Sequence, residues 1–167
     1  MKGFAGMARL QDLLHEDLIV EELKATDKIG VIREFAALLK AAGRVRDENE
    51  LVRVIEEREA LGSTGIGDGV AIPHGKLPFV GEMIVAFGRS RQGVDFQSMD
   101  NKPASLFFLL VTPEDNPGEH LRTLARISRV VKNPVLRDNL RQAADRKGLL
   151  RLIYEEDAKY PQPQAVK

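Results

Sequence analysis

The stretch GSTGIGDGVAIPHGKLP, residues 62–78, sets a glycine-rich run ahead of a short apolar segment and ends near a histidine wedged between proline and glycine. Its context decides the kind of fold. A dinucleotide-binding loop needs a strand before the glycines and a helix after them. Here the order is reversed: the charged, helix-patterned DENELVRVIEEREALG, residues 47–62, precedes it and VAIPHG follows. No Lys-Ser or Lys-Thr pair completes a phosphate-binding P-loop. The glycines therefore read as a helix cap plus a loop that needs positive φ angles, whose backbone amides could approach a small anion.

Working outward, LIVEEL at 18–23 is read as a first strand. TDKIGVIREFAALLKAAG carries Ile29, Ile32, Phe35, Ala36 and Leu39 at helical spacing, with Thr26 or Asp27 to cap its start and Gly43 to end it. In the next helix Asp47 and Glu50 form a capping-box-like pair, Leu51, Val54 and Ile55 make an apolar stripe, and Gly62 stands where a left-handed C-cap belongs. Downstream, MIVAFGRS at 83–90 and ASLFFLLVTP at 104–113 read as strands, with an extra strand at Val94 to Phe96. Three helices close the chain, EHLRTLARISRVVKN, PVLRDNLRQA and DRKGLLRLIYEED, with Pro134 in a first turn and Asp145 as a cap. This order describes a layered α/β domain over 15–157, with a lead-in at 1–14 and a polar tail at 158–167.

Twenty-five basic residues balance 25 acidic ones, so no net field recruits nucleic acid or an anionic membrane. The chain has no cysteine, which removes disulfides, thiolate metal sites and cysteine nucleophiles together and suits a reducing compartment. Its longest apolar run, LFFLLV at 106–111, is too short to span a bilayer, and the N-terminal charges interrupt any signal-peptide core. A cytoplasmic location is expected.

His74 admits four uses: packing residue, metal ligand, general base or nucleophile. A lone histidine at a strand end is ordinarily satisfied by a backbone bond. Against that, Pro73 fixes the backbone on one side and Gly75 removes bulk on the other, leaving an imidazole on a stiff, open corner. His120, one turn inside a predicted helix, reaches the same edge if the strands at 83–90 and 104–111 share a sheet; spacing alone leaves that pairing open. His15, in the lead-in, has no evident partner. A metal site lacks any close pair such as HxxxH, and Ser63 and Ser128 lack a nucleophile-elbow context. Covalent chemistry by the imidazole itself needs no metal, cysteine or cofactor. A neutral imidazole with a pKa of about 6.5 is nucleophilic near neutrality. A phosphohistidine formed this way would need donors, and Arg58, just before the glycine loop, is a candidate.

REALGSTGIGDGVAIPHGKL and TPEDNPGEHLRTLARISR resemble the EIIA domains of the phosphotransferase system, of the fructose/mannitol type, over roughly residues 15 to 157. The wording GSTGIG…AIPHGK is most similar to the nitrogen-regulatory, PtsN-like branch, in which an asparagine often stands where this chain has Asp68. The resemblance implies a mixed β-sheet sandwiched between helices in one three-layer α/β/α domain. It implies that His74 accepts a phosphoryl group from phospho-HPr as a tele-phosphohistidine, that His120 helps hold that group, and that Arg58 stabilises its charge. No metal or cofactor is implied. At this length no sugar-binding membrane domain is expected in the chain, so the phosphoryl group is expected either to pass to a separate EIIB of a fructose/mannitol-type transporter or to be read by a regulated partner; a protein-binding module that keeps the fold without being phosphorylated is the alternative.

Overall fold

A computed structural model describes residues 9–160; residues 1–8 of the expected lead-in at 1–14 and residues 161–167 of the expected tail at 158–167 lie outside the described residues. The elements run α1 (Leu10–Leu13), a 3-10 turn (Glu16–Leu18), β1 (Ile19–Val20), α2 (Lys28–Ala41), α3 (Glu48–Ala60), β2 (Gly65–Gly67), β3 (Val70–Ala71), β4 (His74–Leu77), β5 (Ile84–Val94), β6 (Ala104–Pro113), α4 (Pro117–Val130), α5 (Pro134–Gln142) and α6 (Arg146–Ala158). The six strands make one mixed sheet. β5 and β6 are an antiparallel hairpin at its centre, and β1 runs parallel to the outer side of β5. Along the other side of β6, β3 and then β4 pair with it in parallel, one beyond the other. Helices cover both faces: α2 packs with α3 on one, and α1, α4 and α5 pack with α6 on the other. That is the expected three-layer α/β/α arrangement. Coverage on both faces explains why Leu106 to Val111 form an unbroken apolar run, all fully buried.

Several helix ends follow their capping residues. Asp27, Asn116, Asn133 and Asp145 each accept an amide hydrogen bond from the first turn of the helix that follows. Asp47 accepts from the amides of Asn49 and Glu50, the forward half of the expected box. Gly43, at φ +74°, ends α2 as read. Gly62 differs: α3 caps on Leu61 in the right-handed region, and Gly62 sits at φ +149°, outside the left-handed helical well.

Other differences lie in the strands. LIVEEL contributes only two strand residues, because a 3-10 turn consumes its start and the Leu23 amide turns aside to the Arg89 carbonyl. The separate strand at Val94–Phe96 does not form: Val94 closes β5 opposite Ala104, and Asp95 makes a lone bridge to Asp27. The lead-in ends in a docked turn, with Leu10, Leu13 and Leu14 in the core and the Leu10 amide donating to the buried Asp157 carboxylate at 2.9 Å. In the middle of β5, Arg89 is buried and spends its guanidinium on the carbonyls of Glu21, Leu140 and Ala143 at 2.8–3.0 Å, tying the end of α5 to the sheet.

Candidate active site

The glycine-rich run is a hairpin. β2 and β3 pair antiparallel, Gly65 opposite Ala71 and Gly67 opposite Val70, and the tip is Asp68 at φ +58° with Gly69 at φ +78°. Aspartate and asparagine both tolerate that left-handed position, so Asp68 is accounted for by the turn. Its amide donates to Asp100 Oδ2 and its carbonyl accepts from Arg141 Nη2. It does not line the cleft described below. The loop amides are engaged as well: Thr64 N donates to Glu59 Oε1, and Gly65 N to Ser63 Oγ. The glycines thus serve the hairpin, and the reading of these amides as an anion cradle does not hold for Thr64 and Gly65.

The last turn of α3 grips the start of this loop from two sides. Arg58 Nη1 donates to the Gly62 carbonyl at 3.0 Å, while the buried Glu59 carboxylate takes the Thr64 amide and hydroxyl. Glu59 is charge-paired with Lys28 Nζ at 2.7 Å. The chain then pairs β3 with β6, passes Ile72 and Pro73, and enters β4 with His74 opposite Leu110. Gly75 is buried beneath α3. A Cβ there would meet Val54 Cγ1 at 2.6 Å, so glycine is what lets α3 lie close on β4. The open corner expected beside His74 is therefore one-sided, because Gly75 faces a helix and not solvent.

His74 is partly buried, and its Nδ1 lies 2.7 Å from the Ile72 carbonyl. A carbonyl only accepts, so Nδ1 carries the proton and Nε2 keeps its lone pair. Burial lowers the His74 pKa below 6.5; the Ile72 bond opposes this, and the Arg58 charge lowers it further. The ring is thus neutral at pH 7. His120, on α4 after the loop that leaves β6, is buried with its ring centroid 5.2 Å from that of His74 and tilted by 59°. Its Nδ1 is 2.7 Å from the Thr112 hydroxyl. Burial first, then the charges of His74, Lys76 and Arg58, push its pKa down to about 4.

The two histidines share an open cleft of about 600 Å³ with Arg58, Leu61, Lys76 and Glu114. All three residues singled out from the sequence, Arg58, His74 and His120, therefore meet at one place. Lys76 also lines this cleft, and Thr112, buried outside the lining, contacts His120. Lys76 is two residues beyond His74 on the same strand, so the period-two rule placed it on the same face. Thr112 had no sequence signal, because its relation to His120 depends on how α4 returns over β6. A neutral imidazole with a free Nε2, beside a second imidazole and two cations, is equipped to attack an electrophilic phosphorus and to hold the anionic group it acquires. Among the described residues, no group of three or more His, Cys, Asp or Glu side chains is placed to hold a metal ion. Nor, among them, is any helix long and apolar enough to cross a membrane.

Most of the chain is similar to known proteins. Residues 12–156 match the family model described as phosphoenolpyruvate-dependent sugar phosphotransferase system, EIIA 2. A nitrogen regulatory protein of Bradyrhizobium diazoefficiens is 37% identical over 145 residues, covering 86% of this chain and 94% of that protein. A fructose-specific EIIABC component of Bacillus subtilis is 34% identical over 149 residues, 89% of this chain but only 24% of that much longer protein. The crystal structure of the nitrogen regulatory protein IIA-Ntr from Neisseria meningitidis superposes with a TM-score of 0.81 at 31% identity, covering 86% of this chain and 98% of that one.

Proposed function

The chain belongs to the EIIA 2 family of the phosphoenolpyruvate-dependent sugar phosphotransferase system, and from that premise we propose that it is a phosphoryl carrier whose acceptor is Nε2 of His74. The observation that carries this reading is the 2.7 Å bond from His74 Nδ1–H to the Ile72 carbonyl, which leaves the outer, tele nitrogen unprotonated toward the cleft. The donor is a phosphohistidine on an HPr-like carrier. As the His74 Nε2 lone pair forms the new N–P bond, the old N–P bond breaks and its electron pair stays with the donor ring. No proton has to leave His74, whose N–H remains on Ile72. His120 supplies a hydrogen bond to the phosphoryl group, and Arg58 with Lys76 offsets its charge, a preorganised arrangement of the kind that lowers barriers where charge develops.

The output we favour is regulatory: the phosphorylation state of His74 is read by a partner protein in the cytoplasm, through residues 15–157. The motif wording and the similarity to IIA-Ntr support it. One dianionic group on an exposed cleft is enough to make or break such an interface. Similarity to the fructose-specific EIIABC component supports a second output, transfer onward to a separate EIIB.

Intact-mass analysis after mixing the protein with enzyme I, HPr and phosphoenolpyruvate tests the carrier reading. One acid-labile phosphoryl addition is expected on wild type, none on His74→Ala, and slower addition on His120→Ala. Stoichiometric phosphate retained on folded His74→Ala would overturn the acceptor.

A further inference from the structure

The Thr112 side chain is fully buried at the end of β6, where Thr112 pairs in register with Lys76 of β4. Its hydroxyl does not line the cleft; it sits 2.7 Å from His120 Nδ1. A hydroxyl can donate to an imidazole nitrogen or accept from one, and the two choices leave opposite chemistry at the other nitrogen. If Thr112 accepts, His120 presents a lone pair at Nε2, which repels a phosphoryl oxygen. If Thr112 donates, His120 presents an N–H there, which binds one. His74 is already fixed the other way round, with its proton on Nδ1 and its lone pair on Nε2. The two rings, 5.2 Å apart, then offer one nucleophilic nitrogen and one donor to the same phosphorus-bearing group.

We propose that Thr112 is a positioning residue of the phosphoryl site: its hydroxyl donates to His120 Nδ1 and so holds His120 as the Nε2–H tautomer, the form that hydrogen-bonds the phosphoryl group on His74. The assignment rests on the phosphocarrier reading. It goes beyond the acceptor and its neighbours by naming the residue that decides which proton His120 offers. Because burial keeps His120 uncharged at neutral pH, the ring has one N–H to place, and its tautomer is what a partner on Nδ1 controls. The residues facing His120 from the packed elements are His74 and Lys76 of β4, Arg58 of α3 and Glu114 of the loop before α4. None of these hydrogen-bonds Nδ1, whose partner is the Thr112 hydroxyl.

Two measurements on the full chain test it. In nitrogen-15 histidine NMR of the unphosphorylated protein, His120 is expected as the Nε2–H tautomer in wild type and in Thr112→Ser. In Thr112→Val, which keeps the volume and loses the hydroxyl, it is expected to become a mixture. Phosphoryl transfer from phospho-HPr to His74, or the lifetime of the phosphoprotein, is then expected to fall about tenfold in Thr112→Val, a barrier change of ~1.4 kcal/mol, and to return in Thr112→Ser. His120 found as Nδ1–H in wild type, or a tautomer unchanged by Thr112→Val, overturns the proposal. So does loss of transfer that Thr112→Ser fails to rescue. The tautomer reading stands independently of catalysis. A wild type that takes no phosphate while showing the Thr112-dependent tautomer would refute the carrier function and leave the Thr112 bond assigned.

Discussion

Lowering the pH should destabilise this protein through His120 well before its ordinary carboxylates protonate. The ring is buried beside His74, Lys76 and Arg58, and its pKa is pushed down to about 4 from an ordinary 6.5. In the unfolded chain it returns to about 6.5. The folded state therefore binds fewer protons than the unfolded state between those two values, and stability falls as the pH drops through that window. Each pH unit inside the window is worth about 1.4 kcal/mol, and between about pH 7 and about pH 4.5 the loss from this single ring comes to roughly 2 kcal/mol. His74, also lowered, adds a loss of the same sign, and surface carboxylates add their own below about pH 5. Subtraction separates these. Urea unfolding at constant ionic strength, run at half-unit steps, is compared for wild type and His120→Gln, which retains an amide to meet Thr112 but cannot titrate. The two stabilities should converge by about 2 kcal/mol on going from pH 7 to about 4.5, with most of the change complete before about pH 5. Parallel curves through that window would refute the claim that the fold holds this imidazole uncharged.

Two structural substitutions have expected outcomes of their own. Gly75→Ala should lower stability by about 1–3 kcal/mol in thermal or denaturant unfolding, because its Cβ would press on Val54 and push α3 off β4. A loss below about 0.5 kcal/mol would mean that α3 is not seated by this contact. Arg89→Met should cost about 2–4 kcal/mol despite similar volume, since it strips the guanidinium from the Glu21 and Leu140 carbonyls and leaves Ala143 with Arg91 alone; faster hydrogen exchange at the α5–α6 junction should accompany it. Unchanged unfolding would show that water replaces the guanidinium without penalty.

Periodicity and capping chemistry made the helices legible from the chain alone. The 3.6-residue stripe from Ile29 to Leu39, and Asp27, Asp145 and Pro134 at their helix starts, act through neighbours a few residues away. The buried run Leu106–Val111 likewise announces a strand covered on both sides. Short strands were less legible. β2 is held by a turn and by pairing with β3, and β3, a two-residue apolar piece too short to announce a strand, by pairing with β6, so the glycine run reads as loop until its partner strands are present.

The linear pattern also marked His74, which proline and glycine frame in the chain, and offered His120 and Arg58 only as candidates, whose roles beside it came from the family resemblance. Only the tertiary structure decided what these groups are chemically. The proton on His74 Nδ1 follows from a carbonyl two residues away once Pro73 bends the chain into β4. The depressed pKa of His120 requires burial and neighbours from α3 and β4, and its contact with Thr112 requires α4 to fold back over β6. A sequence specifies which side chains carry chemistry; desolvation and long-range contact, which exist only after packing, set their charge, their tautomer and their reach.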